Sequence, residues 1–261
     1  MMKQVQKKII IMALRAGEIM MKSGAEIYRV EDTISRICKA CGIPYVEVFV
    51  TPTGIFLSLD EGGENSEMFT FLKRINGTGT DLGKISQINQ FSRDFVNTDL
   101  SIEDGMKRLK EIAKSKPYNL WIRALGAALA CAFFCLMFQG TLQDFVCAFA
   151  IGAASYLLSV GFEQFETNYF IKGFCCTAFA AFLALLCTAA GLGDSSGPIT
   201  IGALMLFVPG VAITNAIRDF LASDMLSGLA RTAEAFFIAI SLATGAGVVM
   251  RLWVLFGGNI L

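Results

Sequence analysis

At 261 residues, 54% hydrophobic and with a mean hydropathy of +0.58, the chain is too apolar to be one water-soluble core. Its 22 basic and 22 acidic residues balance to zero, so no basic field exists to hold nucleic acid, and a strongly acidic surface is absent as well. The averages hide a division, because 17 of the 22 Lys and Arg and 15 of the 22 Asp and Glu lie at or before Lys116.

Residues 3–21 carry Val5, Ile9, Met12, Ala16, Ile19 and Met20 at steps of three and four, the stripe of an amphipathic helix. Arg15, Glu18 and Lys22 interrupt the apolar content and no small-residue cleavage site follows, so a helix is expected here rather than a signal peptide. Gly24 can close it. Ser23 with Glu26 three residues on has the spacing of a capping box for a second helix, running through Ile27, Val30, Ile34 and Ile37 to stop near Gly42 and Pro44. On that helix Tyr28, Arg29, Glu31 and Asp32 read most simply as a solvated face with intrahelical pairs.

Residues 45–50, 54–59 and 68–75 predict three strands of one small antiparallel sheet, joined by the turn in TPTG (51–54) and by the turn-rich DEGGENS. The NGTGT loop at 76–80 is Gly-rich but lacks the Lys and Ser/Thr of a phosphate loop. Helices over 81–96 and 101–115, the second capped by Ser101, complete a helix–sheet–helix domain at 1–116, and Pro117 ends it.

The rest, 117–261, is expected to be a membrane domain of five transmembrane helices at about 121–138, 145–160, 170–192, 199–217 and 229–250. Trp121 and Arg123 anchor the first, and Arg251 and Trp253 close the last. The basic cluster Lys107, Arg108, Lys110, Lys114 and Lys116 places the α+β domain in the cytoplasm, and an odd number of spans then leaves the C-terminus outside. With no leader and no extracellular cysteine pairs, a bacterial plasma (inner) membrane is the expected home. Most small residues on the spans read as helix packing, with Ser241 and Thr244 set apart because their hydroxyls can line a path above Glu234.

Of eight cysteines, six sit in apolar runs as small hydrophobes. Cys38 and Cys41 have redox or zinc spacing, but no second pair follows and the chain has no histidine, so both read as reduced thiols. No metal, no cofactor and no catalytic residue is expected.

The fourth predicted span is unlike the others. Pro209-Gly210 removes a helical donor and frees carbonyls at a depth where only protein or a cavity can satisfy them. Thr214, Asn215, Arg218, Asp219, Asp224, Arg231 and Glu234 follow within VPGVAITNAIRDFLASDMLSGLARTAE. A half-helix starting near midplane presents its free amides to a carboxylate, a recurrent transporter device. Arg218 can add a bidentate contact, Thr214 and Asn215 a hydroxyl and an amide, while Asp219, Asp224 and Glu234 can couple protonation to transport. The plainer alternative is an interfacial loop held by ion pairs, with Arg231 and Glu234 an ordinary i,i+3 pair.

SGAEIYRVEDTI, the TPTGIF turn and PGVAITNAIRDFLASDMLSGLAR, followed by an apolar helix, resemble the N-terminal module of the threonine/serine exporter family over nearly the whole chain. The matching positions are Ser23, Gly24, Glu26, Arg29, Val30 and Glu31 in the helix motif. In the membrane motif they are Pro209, Gly210, Asn215, Arg218, Asp219, Asp224, Gly228 and Arg231. The resemblance implies a cytoplasmic domain before five spans, and a second membrane module, fused or separate. Because the chain stops soon after its fifth span, it is similar to the larger subunit of split inner-membrane exporters, paired proteins assigned to dicarboxylate and notably succinate export.

The expected function is one subunit of a secondary exporter for small carboxylate-bearing metabolites, threonine and serine or a dicarboxylate. Its expected partners are the substrate, the lipid bilayer, a second small membrane subunit and, as an open arrangement, further copies of itself. An odd span count supports the second subunit, since an inverted-repeat carrier needs a half of opposite orientation. Two alternatives stand beside it. One is a membrane-anchored sensor or scaffold. The other is a membrane-tethered hydrolase built on Thr51, Thr53 and Ser58, for which no nucleophile elbow or metal spacing exists.

Overall fold

A computed structural model describes residues 2–60, 68–77, 79–98, 100–115, 118–165 and 168–258, with side chains from residue 5 onward. Most of the DEGGENS turn, Thr78 of the NGTGT loop, Lys116 and Pro117 at the expected domain end lie outside the described residues. The chain divides into two compact units: Met1–Lys116 with Val211–Ala233, and Pro117–Gly210 with Glu234–Leu261.

The first unit begins with α1 (Met2–Lys22) and α2 (Ile27–Ala40), then β1 (Tyr45–Thr51), β2 (Gly54–Asp60), β3 (Phe69–Arg74), α3 (Leu82–Asn97) and α4 (Ile102–Lys114). The helical stripe of α1 buries Ile9, Met12, Ala16, Ile19 and Met20, and that of α2 buries Ile27, Val30, Ile34 and Ile37. On the sheet, order β1-β2-β3 and antiparallel throughout, the period of two sends Ile55, Leu57 and Leu59 inward against those helices. Thr51 pairs with Gly54, so Pro52 and Thr53 alone turn the first hairpin. Ser101 accepts the Asp104 amide at 3.1 Å, the cap that the sequence announces.

Ser23 departs from expectation. Its hydroxyl donates back to the Ile19 carbonyl at 2.7 Å, while α2 is capped at Glu26 without any side-chain bond, so the predicted Ser23–Glu26 capping box does not form. The reason lies in Gly24, which at φ +82° lets the Ala25 amide reach Met20 and its own amide reach Met21. That is the six-to-one, five-to-two closure of a helix C-terminus, and it makes Ser23 the C-cap of α1 rather than the N-cap of α2.

The second unit packs α5 (Leu120–Met137), α6 (Leu142–Gln164), α7 (Tyr169–Ala189) and the nine-residue α8 (Ser196–Leu204). Among the described residues, four helices are long and apolar enough to cross a membrane: α5, α6, α7 and α10 (Met225–Leu255). The predicted fourth span at 199–217 is instead divided. Helix α8 ends at Leu204, residues 205–209 are not helical, and α9 (Gly210–Leu221) starts afresh, so the interruption is wider than the Pro-Gly step alone. Val211–Ala233 groups with the first unit, although the composition places it in the apolar half.

Asp144 pins α8. Its buried carboxylate accepts the Asp194 and Ser195 amides at 2.8 and 3.1 Å and, through the other oxygen, the Thr141 amide at 3.0 Å. Close helix approach in this unit uses glycine as expected: a Cβ on Gly245 would lie 2.5 Å from the Phe174 carbonyl oxygen. Ser241 is buried with its hydroxyl on the Phe170 carbonyl at 2.5 Å, and Thr244 bonds back to Ile240 of its own helix at 2.7 Å. The Ser241 hydroxyl therefore joins two helices, while that of Thr244 is exposed and bonds within its own.

Candidate functional site

Within the first unit, α9 and the first turns of α10 close on the turn between α1 and α2. Helical spacing sorts α9: Asn215, Ala216 and Asp219 are buried on one face, while Thr214 and Arg218 lie on the next, exposed strip. Asn215 donates its side-chain amide to the Gly24 carbonyl at 2.9 Å, and Arg231 donates to the Ala25 carbonyl at 2.8 Å. Arg218 donates from Nη1 to Glu26 Oε1. From the other side the Gly79 and Asp81 amides reach the Lys22 and Ser23 carbonyls at 2.9 and 3.0 Å. Every carbonyl from Lys22 to Glu26 thus has a donor, the last being the Val30 amide inside α2. A Cβ on Gly24 would stand 2.8 Å from the Gly79 carbonyl oxygen, so the turn admits neither the bulk nor the backbone of another residue.

Charge is paired in the same place. Glu26 is 5% exposed and shares its oxygens between two cations, Oε1 with Arg218 and Oε2 with Arg29 Nη1 at 2.9 Å. Burial works to raise the Glu26 carboxyl, but Arg29, backbone donation and Arg218 outweigh it and hold the group below its ordinary value. Arg231 Nε lies 3.1 Å from Asp219 Oδ2 in an ion pair that is buried on both sides and lies off the N–H direction. Glu31 Oε1 accepts the Val50 amide at 3.0 Å, tying α2 to the end of β1. Burial pushes the Glu31 carboxyl up, the Asp224 and Asp219 charges add to this, and the Val50 amide opposes it.

The structure therefore brings together Glu26 and Arg29 of the helix motif with Asn215, Arg218, Asp219 and Arg231 of the membrane motif. Glu31 is one helical turn further on, near enough to feel Asp219 and Asp224. Asp224 stands at the entry to α10, with the Ser227 amide 3.4 Å from its carboxylate. Thr214 is exposed, Glu234 takes no part in the ion pairs among the described residues, and Pro209-Gly210 immediately precedes the body of α9. In place of the Arg231–Glu234 pair of the plainer alternative stands Arg231–Asp219, because the α9–α10 turn brings a buried carboxylate to the guanidinium. Sequence reasoning missed the carbonyls of Gly24 and Ala25 as acceptors, and Asp144 as the anchor of α8. Only the Thr141-x-x-Asp144 capping spacing could have signalled the latter.

The hydroxyls proposed for a hydrolase are committed elsewhere. Ser58 and Thr70 bond across β2 and β3 at 2.8 Å, and Thr51 donates to the Gly54 carbonyl at 3.3 Å within the hairpin. Burial pushes the Cys38 thiol up to about 12, which removes it as a nucleophile near neutral pH.

A family model described as "Putative threonine/serine exporter" matches residues 11–253. The chain is 24% identical to the "Probable succinate transporter subunit YjjP" of Escherichia coli K12, over 98% of this chain and 99% of that one. It is 25% identical to the protein of the same description in Klebsiella aerogenes, with 98% of each covered. Against the "Threonine/serine exporter" of Corynebacterium glutamicum it is 22% identical over 94% of its own length but spans only 51% of that protein. No solved structure matches. Since the matched residues run from α1 into α10 and contain the clasped turn with all the side chains that hold it, the chain belongs to the threonine/serine exporter family, a family of membrane transporters.

Proposed function

We propose that the protein is one subunit of a secondary transporter that exports small carboxylate-bearing metabolites across the bacterial plasma membrane together with a second, small membrane subunit. The carrying observation is the interrupted stretch 196–221: α8 stops, α9 restarts at Gly210, and α9 carries Arg218 on its exposed strip. A new helix start offers free amides and a positive dipole end, and Arg218 adds a guanidinium whose side chain remains 53% exposed. Both features suit a carboxylate. The two relatives named as succinate transporter subunits match this chain nearly end to end, which supports the two-subunit form and a dicarboxylate among the substrates. The exporter of Corynebacterium glutamicum keeps threonine and serine in the same set.

In this proposal residues up to about 116 are cytoplasmic, and 199–217 is a discontinuous fifth crossing whose polar end at Asn215 and Arg218 meets the cytoplasmic turn. Ile213, Ile217, Leu221, Met225 and Leu229 are exposed apolar residues of α9 and α10, suited to lipid or to the second subunit. The test is counterflow of labelled threonine, serine and succinate in vesicles holding the chain with and without its partner subunit. Flux is expected only with both, and Arg218→Ala is expected to abolish it while membrane insertion stays normal. Full flux from the chain alone, or unchanged flux in the variant, removes the proposal.

A further inference from the structure

We infer that Glu26 is a built-in occupant of the carboxylate site at Arg218, held there until a substrate carboxylate takes its place; this rests on the transport function proposed above. The three side chains that reach the turn do different work. Asn215 and Arg231 hold main-chain carbonyls, those of Gly24 and Ala25, and both are buried, so no solute replaces their acceptors without unmaking the turn. Arg218 instead holds a side chain of the turn, that of Glu26.

Exposure divides the pair in the sense that exchange needs. The Arg218 side chain is 53% exposed and Glu26 is almost wholly buried, so an arriving solute meets the guanidinium first. A guanidinium carries five donors in a planar fork, and Arg218 meets Glu26 through Nη1. Glu26 is also free to lose this partner. Its second oxygen keeps Arg29 at 2.9 Å, so the carboxylate stays paired after Arg218 has turned to a ligand, and no buried charge is stranded. The exchange is neutral, one carboxylate for another on the same cation. The ligand class is therefore a small molecule with at least one free carboxylate, which admits a dicarboxylate and an α-amino acid alike.

Two substitutions then act in opposite directions. Glu26→Gln removes the competing charge and lowers the substrate KM, on the order of threefold or more for a half-exposed pair. Arg29→Gln concentrates the Glu26 charge on Arg218 and raises KM. Glu26→Asp keeps the charge and falls near the wild type. The measurement is the concentration dependence of counterflow with labelled succinate and labelled threonine, using the chain and its partner subunit together in vesicles. A purely structural pairing would damage transport in the same direction for both Gln variants. Overturning results are KM values that move together, or that stay unchanged while the wild type transports. If Glu26→Gln fails to reach the membrane, Arg29→Gln, at a half-buried position of α2, decides alone: a higher KM supports the inference and an unchanged one overturns it. A wild-type pair with no counterflow of either solute overturns the transport function and this inference with it.

Discussion

Arg231 and Asp219 are the residues whose loss should be felt most. The pair is buried on both sides, and the guanidinium also holds the Ala25 carbonyl, so Arg231→Met would leave a carboxylate without its cation and a carbonyl without its donor. Breaking such a pair costs about 3 kcal/mol, and adding Asp219→Asn to the same chain should recover part of that; thermal unfolding in detergent reads both. Glu18 and Glu26 make acid stability a residue-level question. Burial raises each, yet Lys22 and Lys73 around Glu18, and Arg29 and Arg218 around Glu26, bring both below the ordinary 4.5. A depressed carboxyl contributes stability that is complete above the unfolded value and is lost as pH falls through the folded one. The melting temperature is therefore expected to fall as pH drops below about 4.5, and Glu18→Gln should flatten that dependence. Glu31 has the opposite sign: its raised carboxyl favours the folded state at low pH and that contribution fades as pH rises past 4.5. The types of these residues were visible in the sequence. Their partners were not, because Arg231 and Ala25 are separated by 206 positions and no local rule joins them.

At the scale of elements, α1 and α9 end in the same way with different residues. Gly24 adopts φ +82° at no steric cost, whereas Ser223 is held at φ +66° after α9, with the Asp224 amide on the Asp219 carbonyl at 2.8 Å and its own on Phe220 at 3.1 Å. A side chain in that left-handed conformation costs about 1 kcal/mol, so Ser223→Gly is expected to stabilise the protein by about that amount in a denaturation measurement, without loss of transport. Hydrophobic periodicity revealed α1 to α4 and the three strands to within a residue or two, since each has one buried face and sets its own period. The helices α8 and α9 escaped it: both are apolar enough to be read as one span, and only the Asp144 anchor and the clasped turn separate them.

For the whole molecule the number of bilayer crossings decides on which side each end of the chain lies. Among the described residues four helices are long and apolar enough to cross, and α8 and α9, at roughly 14 and 18 Å against about 30 Å of hydrocarbon, are each too short to do so alone. If they form a fifth, discontinuous crossing, the two ends of the chain face opposite sides. A periplasmic phosphatase fused after Leu255 is then expected to be active, while an inactive phosphatase and a fluorescent cytoplasmic reporter at the same point would leave four crossings.

The sequence by itself determined the division into a charged half and an apolar half, the sheet with its helices, and a resemblance specific enough to name a transporter family. These are properties of composition, period and contiguous motif, and each is written within a few dozen residues. Only the tertiary structure decided that the two motifs belong together. Helix α9 carries its polar residues back to the α1–α2 turn because that turn offers unpaired carbonyls and a buried carboxylate, and buried polar groups in water-poor surroundings must find partners wherever the chain can supply them.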